Sequence, residues 1–421
     1  MKKLYLLLIT TLCTQANDIA LTISGAQQTQ MPITIMILDK TDTQLADVAR
    51  CIQKDLQFTD QFSPTIAHVT KKNLKNSMQQ LCDTGIALAL CLSNSARAIE
   101  WRLYDTMSCT MLQGKKYKKH ALPLRAWAHN ITDELYKTLT GNDGYFSSRI
   151  AYCKDSKNSK GNTVRKLYVA DVDGSNEELL VDLATITVGP RWHPAKAEIY
   201  YSEYADTNVE LMSVCMDKTR TPVANYEGIN MLATFSPDGH AMAYCASHGS
   251  GSSQIYLRKD GKLKQCTNNS GNNTSPIFID NDHLCLCSDV QTGNPQIYIA
   301  NIQTGHVQRI TTGGYCTSPS YCAHNNKIVY HKMIHGTMQL MLYDCATKTH
   351  TQLTKTAGNK HEASWSAGGM HLLFAHETNT QTSRLCSLNL VTNKTKYITA
   401  AQEKCSYPHW GPCYKTFPVV G

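Results

Sequence analysis

His361 and Glu362 are an acid and a base side by side, and that pairing is the equipment of proton transfer. Catalysis would need company for them: a nucleophile, or a second carboxylate within hydrogen-bond range. The chain has no Gly-x-Ser-x-Gly elbow, no His-Glu-x-x-His and no glycine-rich phosphate loop after a strand. Ser236-Pro237-Asp238-Gly239 is a turn, with proline fixing φ and glycine allowing it to be positive, so Ser236 is no nucleophile. Among 17 cysteines only Cys285-Leu286-Cys287 puts two thiols on one strand face, and no other spacing resembles a zinc site. The His361-Glu362 pair is therefore read as a solvated loop, and no catalytic residue, cofactor or metal is expected.

The elements that must position these residues are repetitive. Trp192, Phe235, Phe278, Tyr321, Trp365 and Trp410 recur at a spacing of roughly 43 residues, each in a phrase such as Ser-Pro-Ile-Phe or Gly-Pro-Arg-Trp. A short apolar strand follows five of them, as at Ile199-Tyr200-Tyr201 and Leu372-Leu373-Phe374, and then a strand of the type Gln-Ile-Tyr-Ile. Four short strands per repeat make a propeller blade. The first unit, at Ile150-Ala151-Tyr152, lacks an aromatic phrase, while the last phrase, at Trp410, has no unit after it. The last strand is therefore expected to complete the first blade, giving six blades and no open edge. The six aromatics are expected in the core between blades.

Residues 1–16 read as a secretory signal: basic Lys2 and Lys3, an apolar Leu4 to Leu12, and a small-residue site at Ala16. The expectation is an exported monomer without a transmembrane segment. The net charge of +8 is mild, and nucleic-acid binding has no motif behind it. The dense run Lys115-Lys116-Tyr117-Lys118-Lys119-His120 is read as an exposed strand whose lysines discourage edge pairing. Most cysteines fall at apolar strand positions. Cys153, Cys245 and Cys287 occupy the same place in three repeats, too far apart to bridge, so they are read as small buried hydrophobes.

Residues 17–143 lack the period and alternate strand with helix. Strands are expected at Met31 to Leu38, Ile86 to Leu92, Ile99 to Tyr104 and Met107 to Lys119. Helices are expected from Asp42 or Thr43 to Leu56, around Leu74 to Leu81, and from Leu124 to Leu139 with Gly141 as the stop. The fold class is an α/β N-terminal domain, a mixed sheet with helices, followed over residues 144–421 by an all-β six-bladed β-propeller.

Specific stretches then carry a resemblance. Leu124-Arg125-Ala126-Trp127-Ala128-His129-Asn130-Ile131-Thr132-Asp133-Glu134 runs on into Leu139-Thr140-Gly141-Asn142-Asp143-Gly144-Tyr145-Phe146 and so to Tyr152. With Ile19 to Gly25 and Lys166 to Asn176, these residues make the chain resemble the TolB family, periplasmic propeller proteins of the Tol–Pal envelope system. The resemblance implies a non-enzymatic hub for outer-membrane integrity and constriction at cell division, exploited in some relatives for colicin or phage import. It implies two partners. A Pal-like peptidoglycan-associated lipoprotein would meet the propeller at a channel mouth, through Asn230, Asn272, Asn273, Thr274, His361 and Glu362. Ile229 stands where a histidine would help that contact. A TolA-like inner-membrane protein would meet the mature N-terminal arm, through Asn17, Asp18, Ile19, Leu21 and Ile23. The alternatives are a divergent propeller enzyme acting on an envelope sugar or peptide, and a static envelope spacer.

Overall fold

The structure is a computed structural model and describes residues 30–39, 42–94, 98–118, 123–248, 251–379 and 381–413. The expected signal and the arm residues Asn17, Asp18, Ile19, Leu21 and Ile23 lie outside the described residues.

The N-terminal unit is a five-stranded mixed sheet with helices. Its elements are β1 (Met31–Ile37), α1 (Thr43–Phe58), β2 (Phe62–His68), α2 (Leu74–Asp83), β3 (Leu88–Asn94), β4 (Ala98–Asp105), β5 (Thr110–Lys118) and α3 (Leu124–Thr140). The sheet order is β2-β1-β3-β4-β5; β1 pairs in parallel with β2 and β3, and the rest is antiparallel. Asp42 caps α1 by accepting from the Leu45 amide at 3.0 Å, and α3 stops at Gly141 with φ +75°. Edge strand β2 was not expected. It carries Pro64, which argues against a strand in the sequence but is tolerated on a sheet edge. The lysine-bearing β5 is the other edge and is largely exposed.

Six four-stranded sheets follow. The inner strands of blades 2 to 6 are Thr187–Trp192, Asn230–Phe235, Asn273–Phe278, Cys316–Cys322 and Asn359–Trp365. The inner strand of blade 1 is Cys405–Trp410, which pairs with Arg149–Lys157 and so joins the C-terminal part of the chain to the first blade. It also touches the inner strands of blades 6 and 2, which closes the ring.

Trp192, Phe278, Trp365 and Trp410 are buried, as a core position requires. Phe235 and Tyr321 are only half-buried, which corrects the expectation for these two. Both open onto a cavity of about 260 Å³ at the end of the channel where the inner strands finish. All the described cysteines are free. Burial pushes the thiols of Cys153 and Cys386 up to about 12 and those of Cys245 and Cys287 up to about 11, so they pack as hydrophobes and are poor nucleophiles.

One apolar cluster runs from the N-terminal sheet through Trp127, Tyr136, Tyr145 and Phe146 to Leu373, Leu385 and Trp410 of blades 6 and 1. The N-terminal unit therefore sits on the face where inner strands end. Asn389 donates to the Thr59 carbonyl at 2.7 Å, and Lys396 donates to the Gln57 carbonyl at 2.8 Å. The opposite mouth, where inner strands begin, carries none of these interdomain contacts among the described residues.

Candidate functional site

Every inner strand contains the same irregularity. Two of its residues oppose one residue of the next strand: Gly189-Pro190 against Tyr201, Leu232-Ala233 against Tyr244, Ser275-Pro276 against Leu286. Ser318-Pro319 oppose Tyr330, Glu362-Ala363 oppose Phe374, and Tyr407-Pro408 oppose Tyr152. The first residue of each pair has positive φ: +61° at Gly189, +59° at Leu232, +51° at Ser275, +50° at Ser318, +59° at Glu362 and +54° at Tyr407. These are β-bulges, which bend a strand and re-aim its side chains. Only one of the six is glycine, so five residues hold a conformation that costs about 1 kcal/mol or more each. Such strain persists where the surroundings over-determine it. Here each bulge faces a large side chain of the second strand, buried in every case. The signal was legible: a proline two residues before the aromatic, at four of six positions, marks a place where a strand can lack an amide donor.

The bulges line a cavity of about 240 Å³ in the middle of the ring, whose wall includes Arg191, Leu232, Ser275, Ser318, Glu362, Tyr407 and His409. Glu362 and Arg191 keep some accessible surface because the channel reaches them, although protein surrounds them. The Glu362 carboxylate accepts from the Tyr407 amide. Burial pushes its carboxyl up to about 7; the Tyr407 hydrogen bond and the charges of Arg191 and Arg165 pull the other way without prevailing. The Arg191 guanidinium donates to the Pro190 carbonyl at 2.9 Å and is pulled down by burial. His409 accepts at Nδ1 from the Trp192 amide at 3.2 Å; burial and then Arg191 hold it neutral. His331, buried behind the bulge of blade 6, is pulled down to about 3 by burial and accepts at Nε2 from the Ala363 amide at 3.1 Å.

This corrects the reading of His361 and Glu362 as a solvated loop. Both lie within the inner strand of blade 6, and the bulge turns Glu362 into the channel. His361 Nε2 lies 3.3 Å from a Glu377 carboxylate oxygen. A carboxyl that titrates near 7 makes a prediction. Its folded value stands above the ordinary 4.5, so its contribution to stability is complete below pH 4.5 and is lost as pH rises through 7. Glu362→Gln should flatten that part of the stability profile, as read from urea midpoints at pH 4.5 and 7.5. A profile as steep as wild type would place the titrating group elsewhere.

The sequence-predicted contacts separate into two sets. Asn230 and Asn273 are buried, and their amides hold the loops that lead into their strands. Asn230 Nδ2 donates to the carbonyls of Val209 at 3.0 Å and Tyr226 at 2.6 Å. Asn273 Nδ2 donates to Gln254 Oε1 at 3.1 Å and Asn269 Oδ1 at 2.9 Å. Lys360 occupies the equivalent place in blade 6 and was missed: its buried ammonium donates to the carbonyls of Thr356, Ala357 at 2.7 Å and Gly358 at 2.8 Å. Asn272 is exposed and holds Asp289 at 3.1 Å, Thr274 is half-buried, and Ile229 is exposed. Asn272 and Ile229 immediately precede their inner strands and Thr274 is the second residue of its own, so all three lie at the end of the ring where the inner strands begin.

A second polar cluster joins the two domains. His129 on α3 stands between Asp55 of α1, 2.8 Å from Nδ1, and Asp171 of blade 1, 3.4 Å from Nε2. Thr132 donates to Asp55 at 3.0 Å, and Arg125 bonds Asp171 and, at 3.1 Å, Asp173. Burial alone would pull the His129 imidazole down, but the two carboxylates outweigh it and push it up to about 12. Cys51, Asp55 and His129 bring three possible metal-ligand atoms together. A metal needs a neutral imidazole with a free nitrogen, whereas both nitrogens here face carboxylates and Arg125 adds a further positive charge. The cluster is an ion-pair latch.

A closed ring of six blades with a strained, polar channel defines a β-propeller with a concave site formed before any ligand arrives. The chain belongs to the TolB beta propeller domain family, whose profile matches residues 136–414. The Tol-Pal system protein TolB of Bordetella parapertussis is 28% identical over 296 residues, 67% of this chain and 65% of that protein. The protein of the same name from Gluconobacter oxydans is 30% identical over 175 residues, 41% of this chain and 38% of its own. The chain thus spans about two thirds or less of the relatives it matches. The crystal structure of TolB from Acinetobacter baumannii shares the fold with a TM-score of 0.76 at 23% identity, covering 91% of this chain and 98% of that one.

Proposed function

We propose that this protein is a non-enzymatic component of a Tol–Pal system, exported to the periplasm, where its propeller binds a Pal-like lipoprotein at the mouth where the inner strands begin. The observation that carries the reading is a preformed mouth on the face away from the N-terminal unit, in a chain that belongs to the TolB propeller family. Buried Asn230, Asn273 and Lys360 stiffen the loops of that mouth, so a partner would meet a surface already ordered and little entropy would be lost on docking. Asn272, Thr274, His361 and the exposed Ile229 would supply contacts, and Glu362 lies deeper in the channel. The TolA-like partner is assigned to the arm residues Asn17, Asp18, Ile19, Leu21 and Ile23. The catalytic alternative draws little support from the channel. Its carboxyl, Glu362, already accepts a backbone amide, and Glu377 faces His361.

Thr274→Arg tests the reading. A long charged side chain at the mouth would be left without a counter-charge in the interface, which costs roughly 2–5 kcal/mol. Calorimetric titration with a Pal-like lipoprotein should show affinity reduced at least tenfold, with an unchanged circular dichroism spectrum. Unchanged affinity in the folded variant would remove this loop from the site, and no binding by the wild type would remove the partner.

A further inference from the structure

The two cavities of the ring share part of their wall, which forms a waist between them. Arg191, Ile277 and His409 line both of them, so these three side chains stand between the bulge cavity and the aromatic one. Arg191 and His409 come from the inner strands of adjacent blades 2 and 1. Of the five donors on the Arg191 guanidinium, one is satisfied, by the neighbouring Pro190 carbonyl, and the group forms no ion pair among the described residues. His409 accepts at Nδ1, so in its neutral form the proton sits on Nε2 and is a second donor at the waist. A partly desolvated guanidinium beside a neutral imidazole donor, in a low-dielectric wall between two cavities, is a pair of donors suited to an anion.

We propose that the waist binds a carboxylate, clamped by Arg191 and the Nε2–H of His409, and that this small site is separate from the protein-binding mouth. The shape sets the class. The planar fork of arginine matches a carboxylate in two-point contact. A cavity of about 240 Å³ is large enough for an acidic side chain or a small organic acid. Apolar Leu232, Ile277 and Val188 would cover the carbon atoms of such a ligand. Glu362 sets the pH dependence. It lies across the same cavity, where an anion on Arg191 would oppose its negative form, so binding draws a proton onto it. The groups around Glu362 are Arg191, Arg165 with its partner Asp155, Tyr407, Glu377 beyond His361, and neutral His331. Affinity should therefore fall as pH rises from 6 to 8.

The carboxylate could be a free acid or the side chain of a bound segment, and two probes tell these apart. Calorimetry on the full protein would use succinate in one arm and the capped tripeptide acetyl-Gly-Glu-Gly-amide in the other, with the Gln peptide as control. Binding of succinate, or of the Glu peptide in preference to the Gln peptide, is the expected result, and the arm that binds identifies the source. Arg191→Gln should weaken it at least tenfold. Glu362→Gln, which keeps the fork intact, should bind but lose the dependence on pH. Failure of both probes with the wild type overturns the site, as does a folded Arg191→Gln with unchanged affinity or a Glu362→Gln that keeps the wild-type pH slope. Titration of a Pal-like lipoprotein into Arg191→Gln separates this site from the proposed function. Unchanged partner binding beside lost carboxylate binding leaves both standing as separate sites. Carboxylate binding by a wild type that ignores the lipoprotein removes the partner and keeps the waist.

Discussion

His129→Ala should destabilise the protein by about 3–5 kcal/mol, the cost of breaking a buried ion pair from one side. The imidazole lies between Asp55 and Asp171 and is almost entirely buried, as are both carboxylates. Removing it leaves Asp55 with Thr132 alone and Asp171 with Arg125 and a weaker contact to Arg149. Because Asp55 belongs to the N-terminal unit and Asp171 to blade 1, the damage falls on the joint between domains. Urea unfolding should therefore change from one transition to two, with the N-terminal unit melting first. The effect has a sign in pH. The folded His129 value stands far above the ordinary 6.5, so its contribution is complete below pH 6.5 and declines as pH rises toward 12. Asp171 is held below the ordinary 3.8 by His129 and Arg125, so its contribution is present above 3.8 and lost in acid. Burial also raises the Asp55 carboxyl above its ordinary 3.8, so His129 and Asp55 both make wild-type stability fall as pH rises from 6.5 to 9, as urea midpoints would read. A gap between wild type and variant under about 1 kcal/mol at pH 6 would show that the latch does not hold the domains.

Trp410→Ala should cost about as much, roughly 3–5 kcal/mol for a buried aromatic. Its indole packs edge-on against Tyr145 at 5.7 Å and near His371 at 6.2 Å, and Nε1 donates to Ser148 Oγ at 2.7 Å. Its own amide donates to Ser364 Oγ of blade 6 at 2.9 Å. One residue thus ties the closing strand to the first blade, the last blade and the interdomain aromatic cluster. Phe235→Ala, at the half-buried anchor of blade 3, should cost less than half as much, because its ring already faces the aromatic cavity. Parallel thermal melts of the two variants decide the point. Equal losses would mean that the six anchors are equivalent after all.

Much of this architecture was legible from one dimension. The spacing of the aromatics is a local property of each repeat, so it announces four-stranded blades before any packing is known. Asp42 and Gly141 mark helix ends through chemistry confined to a single turn, and both act as caps in the structure. Strand β2 escaped because an edge strand buries little, and a proline within a run argues against a strand when the sequence is read alone. The site was legible only in part. The recurring proline before the aromatic marked the bulges, but their meaning depends on what lies across the channel.

The period, the succession of strands within each blade, the helices of the first domain and the hydrophobic character of the cysteines can all be read in one dimension. All of these follow from side chains within a few residues of one another, or from a pattern that repeats. Which polar groups face which depends on the folded ring. Glu362 and Tyr407, or His129, Asp55 and Asp171, are distant in sequence, and the ring and the domain interface bring them together. The same closure turned Asn230 and Asn273 into buried loop fasteners and Phe235 and Tyr321 into cavity walls. Burial sets the electrostatics of such groups. Glu362 has a carboxyl's ordinary chemistry in the chain and a proton held to near neutrality in the channel, because enclosure by six blades removes the water that would stabilise its charge.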